Sequence, residues 1–467
     1  MQKGVTYGDG MERKYLNNLI EWMNDEDRKP LLVLGARQVG KSYLIEDLFA
    51  KKYFNNKYLR IDCSDDHAFV DYVVNNDSLQ SVLDYIQIRY DFVPDSDHLL
   101  IIDEAQECLP IIKMMKHFCE KRRDILLIVT GSLVRIRINR HTHKKGGFAD
   151  KSFLFPVGKI NQLIIYPMTF DEFLMNYKPN SYTMLLEKYR AKESLSKDLH
   201  DEFMDIFHDY LFVGGMPEVV NTFIKYKEDR YRGYTKAFDK IKEIYTDYLS
   251  DMDLYQASPE SVIRSRLIYQ NIYSQLNKEN KNFKCSQIDE KLKNRDLISP
   301  IGWLVTACVV NQAYLLKEKV TSPLMQSEES LYRLYLSDMG MFTFQSGMNA
   351  KMFVTNKENA LSGIYYENYV SVELVARDYK LFYWKGKRDS ELEFLIDVNS
   401  NIIPIDAKKN KGSLHSVQEF RAHNKKDIVV KISKNQYGLD KENFILTIPY
   451  YYFSFFLNEV KEEGICI

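Results

Sequence analysis

Residues 31–42 read LLVLGARQVGKS, a short apolar run that closes in a glycine-rich turn and leads into a segment of helical spacing. No other stretch constrains the fold as strongly. An apolar run this short, ending in glycine, suits a parallel strand buried on both faces. Gly35-Ala36-Arg37-Gln38-Val39-Gly40-Lys41-Ser42 satisfies GxxxxGK[ST] at every fixed position. Glycines let such a loop fold back until successive backbone N–H groups converge on phosphate oxygens. The helix that follows adds its positive N-terminal end. In this pattern Lys41 reaches the β- and γ-phosphates and the Ser42 hydroxyl ligates Mg²⁺. The expected ligand is ATP with Mg²⁺, cradled by residues 35–42.

Three further β signals follow: KYLRIDC (57–63), HLLIIDEA (98–105) and DILLIVTGS (124–132), with helical stretches between them. Alternation of this kind predicts an α/β domain with a mostly parallel sheet. Asp103 and Glu104 close the second of these strands, where open α/β sheets place ligands. Asp103 is expected to hold Mg²⁺, usually through water, and Glu104 to orient and polarise the attacking water. The plainer alternative is a solvated acidic pair opening a helix. Thr130 and Ser132 end the next strand, placed either to sense the γ-phosphate or to cap a helix or turn.

At 467 residues the chain is too long for one ordinary core, which predicts two or three domains. A formal net charge of -1 gives no global attraction to nucleic acid, although a local basic face stays open. The six cysteines are scattered without metal-ligand spacing, which suits structural thiols in a reducing compartment. No apolar run approaches the roughly 20 residues that span a bilayer. The expectation is a cytoplasmic protein with no membrane partner.

LVLGARQVGKS, LLIIDEAQE, LIVTGS, YPMTFDEF and FVGGMPEVV together resemble the AAA+ superfamily. They are most similar to a bacterial and archaeal family usually called simply "ATP-binding protein". There an AAA-type ATPase is fused to a C-terminal domain of unknown function. SPIGWLVTACVV (299–310) and LYLSDMGM (334–341) extend the resemblance to about residues 12–435. It implies an ATPase core over 12–175, a helical lid and winged-helix-like region over 176–330, and a third domain over 331–467. In the winged-helix reading, AYLLKE forms the wing, and the helix near 299–308 is too apolar for phosphate contact. The family pattern carries a Gly-Arg pair where this chain has Gly158-Lys159. Lysine does not reproduce bidentate arginine at a γ-phosphate. Either Lys159 substitutes poorly, or Arg135, Arg137 or Arg140 takes the role, or turnover is slow; otherwise all four are surface charges. Many AAA proteins form rings, so a homo-oligomer is a candidate state.

From about residue 331 the pattern turns β-rich. Glu367 lies in a helical stretch, Glu393 in ELEFLID, and Asp406-Ala407-Lys408 ends NIIPIDAK. This order resembles the restriction-endonuclease-like fold, which implies two carboxylates at one divalent ion and a lysine assisting water attack on a phosphodiester. The alternative is a degenerate relative that docks a partner. Three functions follow: an ATPase that rearranges a nuclease-like module, an ATP-regulated DNA nuclease, and a slow switch that binds a protein without cutting.

Overall fold

The computed structural model describes residues 10–132, 134, 156–255, 258–327, 331–355, 357, 361–387, 390–407, 415–424 and 428–464. They divide into two compact units. The described residues up to Tyr166 form the first, together with 254–255 and 306–308; the other described residues form the second.

The first unit is built on five parallel strands: β1 (Leu31–Leu34), β2 (Tyr58–Asp62), β3 (Leu99–Asp103), β4 (Leu126–Thr130) and β5 (Asn161–Ile164), in the order β2-β3-β4-β1-β5. The three inner strands, LLVL, LLIID and LLIVT, are buried at every position. Strands covered on both faces have no polar side, so their sequences read as unbroken apolar runs. The two edges, β2 and β5, are partly exposed and carry the polar residues. Helices α1 (Tyr15–Asn24), α2 (Tyr43–Ala50), α3 (His67–Asn75), α4 (Leu79–Tyr90) and α5 (Leu109–Lys121) surround the sheet. Leu32, Leu100, Leu127, Phe69, Ile86 and Met115 meet in one core. Each such side chain contributes about 1.5–3 kcal/mol on full burial. Helix α2 winds in wide turns, with Lys51 N–H donating to the carbonyl of Glu46, five residues back.

The second unit holds an eight-stranded mixed sheet ordered β12-β13-β11-β10-β9-β8-β6-β7. Its strands are β6 (Val310–Leu315), β7 (Tyr332–Leu336), β8 (Leu381–Lys385), β9 (Glu391–Val398), β10 (Asn401–Ala407), β11 (Val429–Ser433), β12 (Gly438–Asp440) and β13 (Ile445–Pro449). The AYLLKE run read as a wing supplies the last three residues of β6, which pairs antiparallel with β7 and parallel with β8. Strands β12 and β13 were not marked by the sequence, and Tyr450, Tyr451 and Tyr452 beyond them are fully buried.

Three segments singled out in the sequence meet inside this unit. Met168 N–H donates to the Gly215 carbonyl at 2.7 Å, and Gly215 N–H donates to Asp338 Oδ2 at 2.7 Å. A Cβ on Gly215 would lie 2.0 Å from the Met168 oxygen, and one on Gly214 would lie 2.3 Å from the Gly340 nitrogen. Neither position has room for a side chain. Nearby, Arg377 pairs with Glu373 at 2.6 Å, Glu373 accepts from Phe170 N–H at 2.8 Å, and Asn458 donates to Asp171 at 2.9 Å. This buried network joins the helix over 170–177 to the helices over 363–375 and 453–463.

Candidate functional site: the loop after the first strand

The turn from β1 into α2 takes backbone angles that few residues accept. Gly35 has φ +142° and Gly40 φ 84°, and Gln38 sits in the left-handed region at φ 64°. A Cβ on Gly35 would lie 2.2 Å from the carbonyl oxygen of Ile165. Glycine is therefore required there both by conformation and by the close approach of the chain leaving β5. Ala36 and Val39 are buried inside the turn. Arg13, itself 3% exposed, donates to the Val39 carbonyl at 2.6 Å and to the Tyr166 carbonyl at 2.7 Å. It clamps the loop from outside, a role that its place ahead of α1 did not announce.

Lys41 is buried and folds over the loop, its Nζ donating to the carbonyls of Gly35 at 3.1 Å and Ala36 at 2.8 Å. Burial pulls its pKa down to about 8, and Glu104 and Asp103 oppose that pull. The Ser42 hydroxyl donates to Asp103 Oδ2 at 2.9 Å. The sheet thus brings the end of the loop to the acid that closes β3, with β4 between β1 and β3. Asp103 is 1% exposed. Its Oδ1 accepts the Glu104 N–H at 2.9 Å, and its Oδ2 also accepts from Arg60 at 3.1 and 2.7 Å.

Glu104 stands in the left-handed region, at φ 50° and ψ 42°. For a residue with a Cβ this costs about 1 kcal/mol or more and marks positions that the surroundings hold in place. The Gln106 amide donates to the Glu104 carboxylate. Gln106 is kept there by close packing, since a Cβ on Gly131 would lie 2.3 Å from its side-chain oxygen. Glu104 and Gln106 line a cleft of about 420 Å³ with Arg37, Asp62, Cys63 and His67.

Thr130 and Ser132 lie where β4 ends, beside this group. Both hydroxyl oxygens are buried and have no hydrogen-bond partner among the described residues. Buried polar atoms are nearly always partnered in folded proteins, so two orphans at the mouth of a phosphate loop fit a site that gains partners from a ligand. Oxygen donors from a hydroxyl and a carboxylate, 2.9 Å apart, also suit a hard divalent ion such as Mg²⁺. Lys159 pairs with Glu120 at 3.1 Å on the surface. Arg135, Arg137 and Arg140 lie outside the described residues.

Residues 27–174 match the family model for an AAA domain. The matched stretch contains Lys41, Ser42, Asp103, Glu104, Thr130 and Ser132. Residues 204–352 and 362–451 match two further families, each described as a domain of unknown function (DUF8612 and DUF4143). No curated protein matches. Among solved structures, the chain is similar to a Walker-type ATPase of Pyrococcus abyssi, at 15% identity over 72% of this chain and 96% of that one, with a TM-score of 0.44. It is also similar to a signal-transduction ATPase with numerous domains and a tetratricopeptide-repeat sensor from Pyrococcus horikoshii. That match has 12% identity over 79% of this chain and 49% of that one, and a TM-score of 0.24. No described helix is long and apolar enough to cross a membrane.

In the second unit, Glu367 is 3% exposed and accepts from Tyr335 Oη at 2.6 Å and from Lys281 and Arg333. Glu391, which the sequence did not single out, takes a two-point pair with Arg333 at 2.8 and 2.6 Å. Burial alone would raise the Glu391 pKa, but Arg333 and Lys281 outweigh it and hold it at about 2. Glu393 accepts the Ala407 N–H at 3.3 Å. The antiparallel register, with Ile405 opposite Phe394, sets Glu393 and Asp406 at facing positions on β9 and β10. Lys408 lies outside the described residues. Among those that are described, no group of three or more His, Cys, Asp or Glu side chains is arranged to hold a metal ion.

Proposed function

We propose that this chain binds ATP with Mg²⁺ in its first unit and hydrolyses the γ-phosphate. The observation that carries the reading is the 2.9 Å contact between Ser42 Oγ and Asp103 Oδ2, at the end of a loop whose glycines already take up phosphate-cradling geometry. Loop amides from Gly35 to Ser42 would hold the β-phosphate. Lys41 would exchange the Gly35 and Ala36 carbonyls for phosphate oxygens. Ser42 and Asp103 would hold Mg²⁺, which would supply charge neutralisation at the phosphates. Glu104, fixed by its backbone and by Gln106, would accept a hydrogen bond from the attacking water and align it. Thr130 and Ser132 would donate their free hydroxyls to the γ-phosphate or that water. Phosphate release tests the assignment. Lys41→Ala should lose nucleotide binding, whereas Glu104→Gln should keep binding and lose turnover by about 10²-fold or more. Parent-like hydrolysis by either variant would sink the site.

A second reading, metal-dependent cleavage of DNA by the second unit, is favoured by the facing positions of Glu393 and Asp406. Against it, Lys281 and Arg333 already neutralise Glu367 and Glu391. The expected result is no Mg²⁺- or Mn²⁺-dependent cutting beyond that of Asp406→Ala. Cutting that disappears in Asp406→Ala and Lys408→Ala would establish the nuclease instead.

A further inference from the structure

Arg60 holds the same oxygen of Asp103 that Ser42 reaches. Its Nε and Nη2 donate to Asp103 Oδ2 at 3.1 and 2.7 Å, and the Ser42 hydroxyl donates to that same oxygen at 2.9 Å. The other carboxylate oxygen is taken by Glu104 N–H at 2.9 Å. A carboxylate this deeply buried is strongly disfavoured without an opposite charge, and Arg60 supplies one. The guanidinium does not deprotonate, so it vacates Asp103 only by moving.

It has somewhere to go. The Arg60 side chain is 32% exposed on the edge strand β2, and its Nη2 lies 2.9 Å from Asp62 Oδ2. Residues two apart on a strand share a face, which is why Arg60 and Asp62 meet. Glu46 on α2 stands 3.8 Å from Arg60 Nε. These two acids are more exposed than Asp103 and make a second seat for the guanidinium.

We propose that Arg60 is an internal counter-ion that competes with the divalent metal for Asp103 and transfers to Asp62 and Glu46 when the metal arrives. The proposal rests on the ATP–Mg²⁺ reading of the site and adds to it a metal threshold set by a residue on an edge strand. Arg60 is a positioning residue: its described contacts are to Asp103, Asp62 and Glu46, and it acts through Asp103.

The test uses the full chain without nucleotide and Mn²⁺ as the probe, with free Mn²⁺ read by electron paramagnetic resonance. Arg60→Met should bind one Mn²⁺ about tenfold more tightly than the parent, the order expected for loss of one charge-assisted competitor. Adding Asp103→Asn should erase that gain. Arg60→Lys, which keeps the charge but loses the fork, should gain less. An affinity in Arg60→Met within about twofold of the parent, or weaker, would overturn the proposal. Should Arg60→Met fail to fold, an Arg60→Lys affinity equal to the parent's would overturn it. A fluorescent ATP analogue separates the two readings. If parent and Lys41→Ala bind it equally, the nucleotide assignment fails, whatever the Mn²⁺ affinities show.

Discussion

A glutamate at φ 50° whose carboxylate is held by a neighbouring amide is a side chain with few orientations left. Precise placement of a water-activating group is where small displacements have large kinetic effects. Gln106→Ala should therefore lower kcat for ATP by about ten- to a hundredfold while leaving KM for ATP nearly unchanged, as measured by steady-state phosphate release. A rise in KM alone would show that Gln106 serves binding instead. A second residue-scale effect belongs to Asp338. Burial pushes its pKa up to about 6 from 3.8, against several backbone N–H donors that favour its charge. The folded state thus holds the proton more tightly than the unfolded chain. The contribution of Asp338 to stability is then most favourable below about pH 4 and falls, by on the order of 3 kcal/mol, as pH rises through about 6. Urea unfolding at pH 4.5 and 6.5 should show about 2 kcal/mol of that drop in the parent and a smaller one in Asp338→Asn. An equal drop in both would assign the effect to other groups.

At the scale of elements, the first sheet was readable because its inner strands are covered on both faces and their sequences carry no competing pattern. Lys41 and Ser42 were readable because the phosphate-loop pattern fixes their spacing, and Asp103 and Glu104 because they close a buried apolar strand. Arg60 was not: KYLRIDC shows a basic residue two before an acid, but only the pairing of Asp62 with Asp103 across β2 and β3 reveals what it reaches. The sheet partners of the AYLLKE run were not readable for a similar reason. Its partners lie at Tyr332–Leu336 and Leu381–Lys385, and a local pattern of helix followed by short alternation contains no trace of them. Backbone crowding in the second unit leads to a firm expectation. Gly215→Ala would drive a methyl into the Met168 carbonyl, 2.0 Å away, and should destabilise that unit by about 2–4 kcal/mol in urea unfolding. A change under about 0.5 kcal/mol would mean the backbone there shifts freely.

Across the whole molecule, each unit carries close backbone approaches, at Gly35 in the first and at Gly214 and Gly215 in the second. The first unit keeps its unpartnered hydroxyls and left-handed glutamate beside the phosphate loop. The second gathers its ionised side chains into compensated sets such as Arg333 with Glu391 and Arg377 with Glu373. The meeting of Met168, Gly214-Gly215 and Asp338-Gly340 has a practical corollary for anyone recombining such chains. Since the bare backbone of Gly214-Gly215 is what lets the other two stretches approach it, a chimera that imports one from a distant relative inherits a lock without its key. Grafts should be tolerated only when all three travel together.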